Sequence, residues 1–481
     1  MWWLAFKLSG LPAFCAADHT ISAPDVVVVK KSKTAKTNYV YKTLQLSNLK
    51  DFKPQPVELD GYGGRTDLKG KATGFFHTEK LGGRWLLIDP EGGAFISVGI
   101  NAIGLEPTEN PAAFRAKFGD KTNWARATSQ TLAGLGVNTL GCWSDADAFR
   151  AAGRRLPYMP RWNFMSRYAY SRKATRQDNG GKPYPNDCVP VFDPEFEVFC
   201  DQEAAALAAT KDDPWLVGHF SDNELPFKKT NILKRHLELP EQDAGHQAAR
   251  KHLAEKRRNP AQITQEDDNA FCQKMITRYY QVVSAAIRRH DPNHLYLGTR
   301  FHGWVLLQDE TFKACGPYVD VVSINYYGRW SPDQEELNRW AQLAAKPLLI
   351  TEWYAKGDDA GLDDREGAGF SVATQTERGM FYENFTLGLL RNQNCVGWHW
   401  FRWVDEVGKK ASNKGVYSAA YDPYPALVNA MTRINRSVYP LMDYLDKAQS
   451  PSLPDRPETG SHRTNNPATS PVLLQMQRAR E

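Results

Sequence analysis

What the 481-residue chain lacks narrows it first. Its seven cysteines (Cys15, Cys142, Cys188, Cys200, Cys272, Cys315 and Cys395) are scattered, with no Cys-x-x-Cys pair and no cysteine–histidine ligand spacing, so no metal site is expected. Cys142, Cys272 and Cys395 lie in apolar contexts that suit buried thiols, while Cys188 and Cys200 could pair. No apolar run approaches the ~20 residues that cross a bilayer. The formal net charge is only +5, and the basic residues are dispersed. Many sit in 30–36 and 228–258; the latter run is mixed with Asp and Glu and reads as a solvated helical face, so no nucleic-acid partner is expected. A glycine-rich phosphate loop is missing too. Gly99-Ile100-Asn101-Ala102-Ile103-Gly104 has the wrong spacing, and no cofactor is expected.

The chain is instead rich in rings, with 14 Trp, 20 Tyr and 22 Phe. Most of these belong to a core, but indole and phenol faces also suit the C–H faces of sugars. Residues 1–17 combine an apolar stretch with a small-residue exit at Ala16-Ala17 and read as a secretory signal, from which a secreted or periplasmic protein is expected. A frayed apolar terminus or a misassigned start fits the same residues equally well. Residues 18–73 form an N-terminal extension, and 448–481, rich in Pro, Ser, Thr, Asn and Arg, read as a disordered tail.

Between them, at 74–447, short β-branched runs alternate with helical patterns. Eight runs are expected as strands: 94–99, 137–140, 156–159, 216–220, 295–298, 319–324, 347–351 and 396–400. Helical patterns occupy 111–135, 193–210, 268–290, 334–345, 374–392 and 425–445, with a short one at 145–153. Such alternation implies parallel strands joined by right-handed crossovers, and eight units fit an α/β fold of the (β/α)8 TIM-barrel type.

Catalytic residues of such barrels collect at the C-terminal ends of strands. Those ends supply Asn101, Trp143, Asn223, Glu224, Arg300, His302, Asn325, Tyr326, Tyr327, Glu352, Trp353 and Trp400. Two carboxylates each close an apolar strand. Glu224 ends Leu216-Val217-Gly218-His219-Phe220-Ser221-Asp222-Asn223-Glu224, and Glu352 ends Leu348-Leu349-Ile350-Thr351-Glu352. Cleavage of a glycosidic bond needs two carboxyl groups flanking it, in unlike environments. A proton donor at Glu224 asks for burial or a nearby negative charge, whereas a nucleophile at Glu352 asks for hydrogen bonds that keep it ionised.

Asn223-Glu224 and Thr351-Glu352-Trp353 resemble the paired motifs of the clan A retaining glycoside hydrolases. Gly83-Arg84-Trp85-Leu86-Leu87-Ile88-Asp89-Pro90-Glu91-Gly92, Phe95-Ile96-Ser97-Val98-Gly99-Ile100-Asn101 and Asn413-Lys414-Gly415-Val416-Tyr417 are similar to the β-agarase branch of that clan. The resemblance implies a double-displacement hydrolase of a β-linked galactan such as agarose, with Glu224 as acid/base and Glu352 as nucleophile. It also implies Asn223 on the sugar 2-hydroxyl, a tyrosine after the sixth strand orienting Glu352, and Trp400 as an aromatic floor. Of the two tyrosines, Tyr327 shares a strand face with Asn325. Asn101 and Arg300 are hydroxyl binders or structural strand-end residues. Residues 163–189, with Trp162, Tyr168, Tyr170 and Tyr184, form a long aromatic loop suited to walling sugar subsites. The partner is thus a polysaccharide or oligosaccharide. A β-galactosidase, β-mannosidase or β-glucuronidase on the same frame, or a sugar-binding barrel without catalysis, are the other readings.

Overall fold

The computed structural model describes residues 24–105, 109–172, 184–227, 231–365, 367–408 and 411–447. The expected signal at 1–17 and the expected tail at 448–481 lie outside them. In chain order the strands are β1 (Asp25–Lys30), β2 (Asn38–Thr43), β3 (Arg65–Lys69), β4 (His77–Leu81), β5 (Arg84–Ile88), β6 (Gly93–Phe95), β7 (Ser97–Ile100) and β8 (Thr139–Leu140). They continue as β9 (Gly218–Phe220), β10 (Leu295–Gly298), β11 (Val322–Asn325), β12 (Leu348–Glu352), β13 (Ala355–Gly357), β14 (Phe370–Val372) and β15 (Cys395–Trp400).

The core is an α/β arrangement with parallel strands. One parallel sheet runs β11-β12-β15-β7-β8, and β9 pairs with β10 in a second parallel unit. Single parallel bridges lie between these units: Leu140 to Tyr158, Tyr158 to Leu216, Arg161 to Phe220, and Phe301 to Ile324. The run expected as a third strand is therefore reduced to bridges. Pro157 and Pro160 flank Tyr158 and offer no N–H to a ladder, though their carbonyls still accept from Leu140 and Phe220.

Helices separate the parallel segments. The pattern at 111–135 is two helices, Pro111–Phe118 and Lys121–Gly134, broken where Gly119 turns to φ 74° and Asp120 caps the second. The longest helix, Gln265–His290, starts on a capping box between Thr264 and Asp267 and ends on Arg288, Arg289 and His290, each favourable to its dipole. In place of a loop throughout 163–189, Phe164–Ser171 is helical, with Tyr168 buried and Tyr170 half-exposed. Cys188 and Cys200 are separate buried thiols, not a bridge.

A four-stranded antiparallel sheet, β3-β6-β5-β4, covers the N-terminal ends of the parallel strands. The Trp85 N–H donates to the Gln393 carbonyl, Tyr62 packs on Trp215 at 4.5 Å, and Phe75 meets His294 edge-on at 5.1 Å. Gln393, Trp215 and His294 each precede a parallel strand. Phe76, Leu87 and Phe95 of this cover continue into an apolar cluster with Val217, Leu297 and Leu349. With that end plugged, polar side chains gather at the other.

Candidate active site

The C-terminal ends of the parallel strands share a backbone feature. Ala102, Trp143, Glu224 and Arg300 all adopt left-handed φ, at 55°, 63°, 51° and 56°. For residues with a Cβ this conformation is disfavoured, and such strain concentrates where a site over-determines the chain. Here hydrogen bonds hold it. Ala102 donates to the Cys142 carbonyl at 2.8 Å and Glu224 to the Thr299 carbonyl at 3.2 Å.

Glu352, the last residue of β12, is 6% exposed and is held by two donors. Arg300 Nη2 lies 2.9 Å from Oε1, and the Tyr327 hydroxyl donates to Oε2 at 2.8 Å. Burial raises the Glu352 pKa; the Arg300 cation pulls it back, Glu224 pushes it up again, and the Tyr327 hydrogen bond lowers it. The donors expected to favour its ionised form are thus in place, with desolvation in this pocket working against them.

Arg300 is fully buried and holds more than Glu352. Its Nη1 donates to Asn223 Oδ1 at 2.8 Å and its Nη2 to the Thr351 carbonyl at 3.0 Å, and its guanidinium lies 4.4 Å from the Trp143 ring centre. Arg300, which can only donate, fixes the amide oxygen rather than the amide nitrogen of Asn223 toward it. Asn325 Nδ2 donates to Glu224 Oε1 at 2.9 Å and reaches Asn223 Oδ1 at 3.4 Å. Asn325 is thus engaged with protein groups, as is Asn101, whose Nδ2 donates to the Thr351 carbonyl at 2.6 Å. His302 sits beside this group, Nδ1 3.3 Å from the Asn325 carbonyl and its ring edge-on to Tyr327. Trp143, 38% exposed, keeps part of its ring toward solvent.

Three residues read as sugar contacts lie elsewhere. Tyr326 faces away, donating to Glu336 and accepting from the Asp333 N–H, with its ring against Trp340 and Phe385. Trp353 is buried and stacked on Phe385 at 4.5 Å. Trp400 is fully buried against Trp353 and Tyr382, its indole N–H donating to the Lys414 carbonyl, so it offers no open face to a sugar. Both indoles follow strand alternation. With Glu352 and His399 turned inward, their neighbours pack outward on the helix Gln375–Arg391.

Sequence reasoning passed over Arg161 and gave no role of their own to Asp222 and Thr351, which it read only as parts of the two strand-end motifs. Arg161, two residues beyond the buried Met159 and so on its face, places its guanidinium 5.0 Å from the Trp143 ring. Asp222, fully buried, accepts from the backbone N–H groups of Met165 and Ser166 and from the Tyr279 hydroxyl. Burial pushes its carboxyl up to about 6, and it caps the helix Phe164–Ser171. Thr351 is legible in the sequence only as part of the Thr351-Glu352-Trp353 motif.

Among the described residues, one group of three side chains, His219, Asp291 and His294, brings its ligand atoms within 4.8 Å. Its hydrogen bonds argue against a cation. Trp162 Nε1, which can only donate, sits 3.0 Å from His219 Nδ1, so the proton of neutral His219 is on Nε2, aimed at Asp291 at 2.8 Å. His294 likewise points both ring nitrogens at acceptors, Asp291 and the Asp213 carbonyl. The cluster is a self-satisfied strut between segments.

No family model matches the chain. It is 26% identical to β-agarase B of Vibrio sp. (strain JT0107) over 79% of this chain and 50% of that protein. It is 24% identical to β-agarase A of the same strain, over 74% and 45%. The chain therefore spans about half the length of the curated relatives it matches. The crystal structure of BpGH50 superposes with a TM-score of 0.81 at 31% identity, covering 90% of this chain and 99% of that one. An exo-β-agarase structure shares the fold at a TM-score of 0.67 and 23% identity, over 82% and 69%. On the near-complete match to BpGH50, the chain belongs to the β-agarase-like glycoside hydrolases.

Proposed function

We propose that the protein cleaves β-glycosidic bonds of a galactan of the agarose type with retention of configuration, Glu352 acting as nucleophile and Glu224 as general acid/base. The observation that carries this reading is the unlike support of two neighbouring carboxyl groups. Glu352 is gripped by a guanidinium and a phenol, and Glu224 receives an amide N–H. In the first step Glu352 forms a bond to the anomeric carbon while Glu224 gives its proton to the departing glycosidic oxygen. Glu224, now a carboxylate, takes a proton from water in the second step. That water attacks the glycosyl ester and returns the electron pair to Glu352. The names of the Vibrio β-agarases support agarose as substrate.

The frame we propose is a closed (β/α)8 barrel within residues 74–447, with 18–73 as an extension. It is supported by the succession of parallel neighbours β7, β8, Tyr158, β9, β10, β11, β12, β15 and again β7. The test of mechanism is the anomer first released from an agaro-oligosaccharide, followed by NMR. A β product is expected, and an α product would overturn retention.

A further inference from the structure

Thr351 stands immediately before the nucleophile on β12 and is fully buried. Its hydroxyl lies 2.8 Å from Asn325 Oδ1, and Asn325 in turn points its Nδ2 at Glu224 Oε1 and Asn223 Oδ1. The direction of this chain is fixed at its far end. Arg300, which can only donate, occupies Asn223 Oδ1, so that oxygen demands an N–H rather than a carbonyl from Asn325. At the near end, Thr351 supplies the matching donor.

We infer that the Thr351 hydroxyl is a positioning group for the general acid: by donating to Asn325 Oδ1 it keeps the amide N–H on Glu224 Oε1, so that Glu224 carries its acid proton on Oε2. The inference rests on the reading of Glu224 as the acid. The opposite amide orientation has a different chemistry. Asn325 Oδ1 would then face Glu224 Oε1, a contact that is favourable only when the proton sits on Oε1 and is donated to the amide. That proton would be aimed at the protein instead of at the glycosidic oxygen. Two acceptors would also meet at Asn223. Because Thr351, Asn325 and Arg300 are all buried, the polarity of this chain is set by its own members rather than by bulk water.

The test uses the full-length protein and a series of aryl β-galactosides or aryl agaro-oligosaccharides of rising leaving-group pKa. Thr351→Val removes the hydroxyl and keeps the shape. On poor leaving groups, which need protonation, kcat/KM should fall roughly 10- to 100-fold, part of the 10²- to 10⁴-fold that general acid catalysis contributes. On a dinitrophenyl leaving group it should stay within about threefold, since the acid is scarcely needed there. Thr351→Ser should restore the poor leaving groups to within about threefold. Asn325→Ala should show the same selective loss, and adding Thr351→Val to it should cost nothing further. A loss uniform across the series, no loss, failure of serine to restore, or full additivity with Asn325→Ala would overturn the inference. Glu224→Ala in the same series separates the two readings. If it too lacks the selective loss, the acid assignment falls; if it has the loss and Thr351→Val does not, only the positioning role falls.

Discussion

Two pairs of carboxyl groups lie at opposite ends of the parallel strands, and their surroundings make them different chemical objects. At the N-terminal ends, Asp60 Oδ1 accepts the N–H groups of Tyr62, Gly63 and Gly64, and Asp89 Oδ1 accepts those of Glu91 and Gly93. Their Oδ2 atoms are buried together over glycine. A Cβ on Gly93 would lie 2.3 Å from one and 2.5 Å from the other, and on Gly64 only 1.9 Å from Asp89 Oδ2. Burial, and then the neighbouring Asp60 carboxyl, pushes the Asp89 carboxyl up to about 7. At the C-terminal ends, Arg300, Tyr327 and Asn325 stand around Glu224 and Glu352, and each carboxyl has its own donor. Buried against a second carboxyl, Asp89 is biased toward its protonated form. A pair with donors assigned member by member can divide the roles of acid and nucleophile.

The largest expected difference between the two pairs is in turnover. Glu352→Ala should lower kcat by at least about 10⁴-fold, since no glycosyl-enzyme forms without it. Asp89→Asn, measured on the same substrate, should leave kcat within about threefold. Comparable losses in both would erase the distinction drawn above.

Arg300 is expected to come next. Arg300→Met strips a donor from Glu352 and from Asn223 together and should cost about 10²- to 10³-fold in kcat/KM, the scale of losing a preorganised charge donor. Arg300→Lys should recover only a part, because an ammonium cannot match the planar fork. Full activity in either would show that Glu352 does not depend on the guanidinium.

The neighbouring tyrosines sharpen the same point at smaller scale. Tyr327→Phe removes the hydrogen bond to Glu352 and should reduce kcat by ~10-fold or more. Tyr326→Phe breaks contacts to Glu336 and Asp333 on the far side of β11, so it should cost about 1 kcal/mol of stability in denaturant melts and leave kcat unchanged. A reversed pattern would mean that the strand faces have been misassigned.

The smallest effect concerns pH. The folded pKa of Asp89 lies above the ~3.9 of an unfolded aspartate, so the native state keeps a proton that the unfolded chain has lost. Stability should therefore fall as pH rises from about 4 to about 7 on account of this pair. Asp60→Asn replaces the carboxyl facing Asp89 Oδ2 with an amide able to donate to it and should flatten that fall. Its melting temperature should exceed that of the wild type by ~2 °C at pH 8, with less difference at pH 5. An equal shift at both pH values would point to packing instead.

The strand-end motifs were legible because a buried parallel strand reads as an apolar run and its last polar residue marks the mouth. Alternation was enough to choose Tyr327 over Tyr326. The same rule, applied to Glu352-Trp353 and His399-Trp400, would have turned both indoles outward, where the structure has them. Arg161 itself, and the role of Thr351, were hidden for another reason. An arginine behind a proline carries no pattern of its own, and what a threonine inside an apolar strand bonds to is revealed only by its tertiary partners. Glu352 shows the limit for charge. Donors can be inferred from residue type, but the depth of burial that opposes them comes only from packing.

The division of roles between Glu224 and Glu352 is tested most directly by adding azide to each alanine variant and determining the configuration of the product. In Glu224→Ala, with an activated aryl glycoside, the glycosyl-enzyme should still form, and azide, which needs no general base, should release it as the β-glycosyl azide. In Glu352→Ala, azide should enter the vacated face and yield the α-glycosyl azide. The reverse assignment of the two products would contradict the account and exchange the roles of the two residues.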